Sequence, residues 1–212
     1  MRMTAPHLHH LGPVPFGHGT LLPMLKDYRR PNDKIAEWLR QGVLVPVKRG
    51  LYVLGEPARA PCLPLVANRL YGPSCVSLDH ALAWHGLIPE RVHEITSVCT
   101  GRGRVIDNAL GRFSYARLPA SVYPCGIVQA SASVQETFLI ASPAKALCDK
   151  VMLTPRLRAA SRAAMHRYLF EDLRIDPDAL RGLDLDVVRA YAACGTKTAQ
   201  LRALLQCVEQ AR

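Results

Sequence analysis

The period of the hydrophobic pattern shifts repeatedly along this chain, and each shift marks an element. In residues 17–54, Leu21, Leu22, Met24 and Leu25 form one short apolar cluster. Ile35, Trp38 and Leu39 form a second at i, i+3, i+4 spacing, so two short helices are expected. Thr20 is placed to cap the first, Tyr28 to Arg30 supply a turn, and Pro31 pre-sets φ for the second, which Gly42 stops. Residues 43–47 and 51–54 are β-branched and aliphatic strand formers on either side of Lys48-Arg49-Gly50, a hairpin with glycine at its tip. Helix, turn, helix and hairpin in that order predict a small winged helix-turn-helix.

The face of the second helix opposite Ile35 and Trp38 carries Asp33, Lys34, Glu37, Arg40 and Gln41, with Asn32 at its N-terminal flank. Arg, Lys, Asn and Gln on a helix that fits the major groove can pair with base edges, and a Lys48-Arg49 tip can neutralise phosphates. Asn32, Lys34, Glu37, Arg40, Gln41, Lys48 and Arg49 are therefore the candidate DNA-binding residues. The competing reading, a solvated helix beside a structural hairpin, is weakened by charge, because this stretch has seven Lys and Arg against three acidic residues.

Ahead of this head, residues 1–16 mix Pro, Gly and His without periodicity and are expected to be a flexible arm. Pro6, Gly12, Pro13 and Pro15 disfavour the extra helix that precedes many winged helices. The head is thus expected over residues 17–56, joined by a Gly- and Pro-containing linker to a body over residues 57–212. In the body, residues 62–70 and the stretch from Ser77 to Gly86 have helical spacing. Residues 94–100, 111–118, 126–132 and 136–141 have strand character and suggest an antiparallel-type sheet. Ser142-Pro143 opens a further helix over residues 143–153. A helical cap over residues 155–212 is expected, with helices at 156–170, 178–180, 184–193 and 196–210. The fold class is α+β: a winged head, a mixed α/β body and a C-terminal helical cap.

Catalytic chemistry finds little support. His80 and His85 lie five apart, off zinc-helix spacing, and His7, His9 and His10 form a loose tail cluster, so no metal or other cofactor is expected. Ser77 and Ser142 are explained as helix caps, and Lys145 with Asp149 as an exposed i, i+4 pair. Asp107, Glu94 and Glu136 are isolated carboxylates. Gly101-Arg102-Gly103-Arg104 matches no phosphate-binding pattern, and Arg102 and Arg104 form a possible basic contact loop. No catalytic residue is assigned and the chain is expected not to be an enzyme. A nucleic-acid-processing enzyme or a one-component effector-binding transcription factor are the alternatives.

The formal net charge of +10 favours a polyanionic partner. The seven cysteines contain no C-x-x-C pair, which points to buried thiols in a reducing cytoplasm. No apolar run reaches the ~20 residues of a membrane span.

With W-L-R-Q-G-V-L (residues 38–44), V-K-R-G-L-Y-V-L (47–54), S-L-D-H-A-L-A-W-H-G-L (77–87) and I-A-S-P-A-K-A-L-C-D-K (140–150) in this order, the chain resembles the AbiEi antitoxins of the type IV toxin–antitoxin and abortive-infection system AbiE. The resemblance covers most of residues 17–150. It implies an N-terminal winged helix that binds double-stranded operator DNA of its own operon, acting as a transcriptional regulator. It also implies a C-terminal domain that counters a nucleotidyltransferase toxin, without requiring a stable complex. By position, Lys34, Arg40, Lys48 and Arg49 become the DNA candidates.

Overall fold

A computed structural model describes residues 8–55 and 60–212, apart from the side chain of His9. The chain is α+β. Its head begins with a 3-10 turn, Leu8–Leu11, then β1 (Phe16–Gly17), α1 (His18–Met24), α2 (Pro31–Arg40), β2 (Leu44–Lys48) and β3 (Leu51–Leu54). These strands form a three-stranded sheet in the order β1-β3-β2, antiparallel throughout.

Apolar periodicity sets the head's core: Leu21 and Leu25 from α1 and Ile35 and Trp38 from α2 meet Leu44 and Tyr52 of the hairpin. Leu8 and Phe16 join them, so the arm expected over residues 1–16 is packed from Leu8 onward; residues 1–7 lie outside the described residues. These two apolar side chains outweigh the helix-breaking composition around them by burying their area in the head. The first helix starts at His18 behind Gly17, so Thr20 lies inside it rather than capping it. Pro31 does occupy the first turn of α2, and Gly42 follows it at φ +71°.

The body comprises α3 (Leu63–Leu70), β4 (Ser74–Val76), α4 (Leu78–Trp84), β5 (Ile95–Cys99), β6 (Arg104–Asn108), β7 (Gly111–Arg117), β8 (Ile127–Ser133), β9 (Glu136–Ala141) and α5 (Pro143–Leu153). Its sheet has six strands in the order β6-β7-β5-β4-β9-β8. The expected antiparallel-type sheet is in fact mixed, since β4 runs parallel to β9 and β5 parallel to β7. The connections allow this: residues 77–135 carry the chain from β4 to β9, and residues 100–110, with β6 outermost, carry it from β5 to β7.

The C-terminal cap is formed by α6 (Arg162–Arg167), a π-helical turn Tyr168–Asp172, a 3-10 segment Pro177–Gly182, α7 (Leu185–Ala193) and α8 (Thr198–Gln210). The long helix expected over residues 156–170 is shorter because Arg156 turns to φ +52° and the chain runs irregularly to Ser161, which caps α6 by accepting from the Ala164 N–H. Leu169, Val188, Tyr191, Leu201 and Leu204 carry this cap into the body's core.

That core also contains Val47 and Val53 of the hairpin. The expected boundary after residue 56 therefore does not separate two independent cores: the hairpin shows one face to the head and another to the body. Among the described residues, no helix is long and apolar enough to cross a membrane.

Candidate nucleic-acid interface

The second helix of the head places its polar residues as the 3.6-residue period requires, but side-chain bonding divides them. Lys34 and Glu37, three residues apart, form an ion pair at 2.9 Å, and Gln41 donates to the same Glu37 oxygen at 3.0 Å. The Lys34 ammonium also lies 5.9 Å from the Tyr28 ring centroid and 5.8 Å from that of Trp38. Hydrogen bonding from Lys34 holds the Glu37 carboxyl below its ordinary range. These three candidates thus satisfy one another. Arg40, in the last turn, is exposed and its side chain makes no hydrogen bond or ion pair among the described residues, although its charge helps to lower the Glu37 carboxyl.

His18 joins two parts of this surface. Its backbone N–H donates to the Gly50 carbonyl at the hairpin tip at 2.8 Å, and its imidazole Nε2 bonds Asn32 Oδ1 at 2.9 Å. The tip and the N-terminus of α2 therefore meet at the start of α1. Sequence reasoning missed His18 because neither bond has a local sequence signal. Gly50 adopts φ +76°, which turns the chain at the tip and leaves Arg49 exposed.

Lys48 lies at the end of β2 beside the tip and is exposed, but its side chain turns towards the body. A register shift between Pro46 and Lys48 in the hairpin accompanies an ammonium that donates to Arg69 O at 3.0 Å and Leu70 O at 2.8 Å. Those are the last carbonyls of α3, which lack partners within the helix. Lys48 is a bridge to the body, leaving Arg49 as the tip's outward cation. The turn before α2 adds Lys26 and Arg29, both exposed, and Arg30, which lies 3.7 Å from Asp33.

Arg102 and Arg104 are exposed on a loop that is pinned to its surroundings. The Tyr71 hydroxyl donates to Arg102 O at 3.0 Å, and the Arg104 guanidinium stacks 4.7 Å from the Tyr71 ring. A Cβ on Gly101 would come within 2.8 Å of the Tyr71 hydroxyl, and one on Gly103 within 3.0 Å of the Tyr115 carbonyl. The glycines thus serve close packing.

A second polar cluster lies inside the body. Lys145 and Asp149, expected to be an exposed pair, are both completely buried on α5. The Lys145 ammonium lies 3.4 Å from Asp149 Oδ2 and donates to the Tyr191 hydroxyl of α7 at 2.7 Å; Tyr191 in turn donates to the other carboxylate oxygen. Ser77 donates to Asp149 Oδ2 at 2.6 Å, so its hydroxyl does not cap α4. Ser142 does cap α5, accepting from the Lys145 N–H at 3.2 Å. Burial raises the Asp149 carboxyl, against the opposing pull of Lys145, Ser77 and Tyr191. Burial likewise pushes the Cys75 thiol up to about 12. With Ser77, Lys145, Asp149 and Tyr191 shut off from solvent, this cluster works as an internal brace joining β4, α5 and α7.

The histidines of α4 are engaged separately: His85 bonds the Ala141 carbonyl at 2.8 Å, while burial pulls the His80 imidazole down. Among the described residues, no group of three or more His, Cys, Asp or Glu side chains could hold a metal ion. His7 lies outside them. Compared with protein-family models and with curated proteins, the chain matches none.

Proposed function

We propose that the protein is a type IV antitoxin of the AbiEi kind, a transcriptional autoregulator whose head acts as a winged helix-turn-helix on operator DNA and whose body counters a nucleotidyltransferase toxin. The observation that carries the DNA-binding half is the convergence at His18 of the hairpin tip and the N-terminus of α2, beside exposed cations at Arg49, Lys26 and Arg29. An element order of β1, two helices and a hairpin, with β1 closing the sheet, suits a helix offered to the major groove and a wing offered to the backbone. The net charge of +10 suits phosphate contact. Arg40 and Asn32 are the base-edge candidates on α2, and Arg49 the phosphate contact. Lys34, Glu37 and Gln41 shape the helix face through their mutual bonds. Arg102 and Arg104 are candidate backbone contacts.

The antitoxin half rests on the four matching segments, two of which contribute Ser77, Lys145 and Asp149 to the buried brace. Neutralisation without a stable complex is part of this reading, and the protein is not an enzyme in it. Seven free thiols, four of them buried, favour a cytoplasmic setting.

Two linked experiments test the proposal. Nuclease footprinting on the upstream region of its own gene should give protection that Arg40→Ala/Arg49→Ala abolishes. In cells arrested by a nucleotidyltransferase toxin of the AbiE type, coexpression of the protein should restore growth. Protection at no site, or growth arrest unrelieved by the native protein, would overturn the corresponding half.

A further inference from the structure

Three hydrogen bonds and two buried valines fasten the hairpin to the body. Val47 and Val53 are 3% and 1% exposed and lie in the body's core, whereas their neighbours Leu44 and Tyr52 lie in the head's. On one side of the seam, Lys48 donates to Arg69 O and Leu70 O at 3.0 and 2.8 Å. On the other, Asn108 at the end of β6 donates from Nδ2 to Val47 O at 3.0 Å, and its Oδ1 accepts from the Leu110 N–H at 2.8 Å. The carbonyls that hold Lys48 end a helix whose dipole makes them favourable for a cation. Arg49 is the adjacent residue and points to solvent.

We propose that Lys48 and Asn108 form a latch that sets the wing's position from the body, making Lys48 a positioning residue for Arg49 rather than a phosphate contact. This rests on the DNA-binding reading above and deepens it: the cation that sequence places on DNA instead aims its neighbour. A phosphate contact and a positioning bond differ in their salt dependence. Each lost phosphate contact lowers the slope of log K against log salt by about 0.9, so a Lys48 that acts only through Arg49 costs no further slope once Arg49 has been removed, whereas a Lys48 that touches phosphate costs its own share of about 0.9.

The test measures binding of the full chain to duplex DNA from its own upstream region across a salt series, with hydrogen exchange of the free proteins. Lys48→Met and Asn108→Ser, which removes the amide donor without adding a charge, should each weaken binding by about tenfold when Arg49 is present, as expected for loss of a charged or buried bond, and by less than about twofold further in the Arg49→Ala background. Both should also speed exchange over residues 44–54. Lys48→Arg, which can still donate to both carbonyls, should bind within about twofold of native. Arg49→Ala should lower the slope by about 0.9. A slope lowered by a further amount of about 0.9 when Lys48→Met is added to Arg49→Ala, or native exchange and affinity in both latch variants, would overturn the latch while leaving the DNA-binding reading intact. If the native protein binds no DNA, both fall.

Discussion

The head and the body each contain a lysine and an acid one helical turn apart, and the two pairs behave in opposite ways. Lys34–Glu37 on α2 lies at the surface, with side chains 18% and 40% exposed, whereas Lys145–Asp149 on α5 is fully buried. At the surface, Lys34 holds the Glu37 carboxyl below its usual range. Inside, loss of hydration outweighs Lys145, Ser77 and Tyr191 together and the Asp149 carboxyl rises. A spacing that is identical in kind therefore has a consequence set by what surrounds the helix.

The largest predicted difference is in stability. Lys145→Ala leaves a buried carboxylate without its counter-charge and should destabilise the fold by about 3–5 kcal/mol in chemical denaturation. Loss of less than about 1 kcal/mol would show that water reaches the site and erase the contrast. Tyr191→Phe removes the hydroxyl shared by Lys145 and Asp149, and should cost about 1–3 kcal/mol by leaving buried partners unsatisfied. Because Tyr191 is on α7 and Asp149 on α5, exchange should quicken in α7 more than in the head.

Acid titration sharpens the same comparison. A raised folded-state carboxyl binds its proton more tightly than the unfolded chain, so the stability it lends is complete below 3.8 and declines as pH rises through the folded-state value. Asp149→Asn should remove that decline. Glu37 works in reverse: its contribution is present above 4.5 and fades on acidification through its lowered value. NMR titration of the side-chain carboxyls should find Asp149 titrating above 3.8 and Glu37 below 4.5. The smallest effect belongs to Lys34→Ala, whose pair is solvated and screened. Its denaturation midpoint should match native within experimental error.

How far these differences could be read in advance depends on the signal each residue leaves in the sequence. The ranges of β9 and α5 were legible to the residue, because alternation ends at a Ser-Pro that both caps and starts the helix. β4, the inner strand beside β5 and β9, is only three residues long and too short for alternation to register. β6 begins inside the Gly-Arg repeat and carries polar residues suited to an edge. For Lys145 and Asp149 a signal was present: Ala144, Ala146, Leu147, Cys148 and Val151 surround them, and a helix apolar on all sides is a buried one. The i, i+4 charge spacing masked it.

In the candidate interface, exposure of Arg40 and Arg49 followed from periodicity and turn chemistry. The turning of Lys48 to α3, and the meeting of tip and helix at His18, depend on residues close in space but distant in sequence. No period or local motif encodes them.

The central claim is most directly tested by fluorescence anisotropy of a labelled duplex from the gene's own upstream region, against a scrambled duplex, at two salt concentrations, with native protein and Arg40→Ala/Arg49→Ala. The account predicts preference for the native sequence, affinity that falls steeply with salt, and a shallower slope with little preference in the double variant. Equal binding to both duplexes by native protein, or a double variant indistinguishable from it, would contradict the assignment of the head to operator DNA.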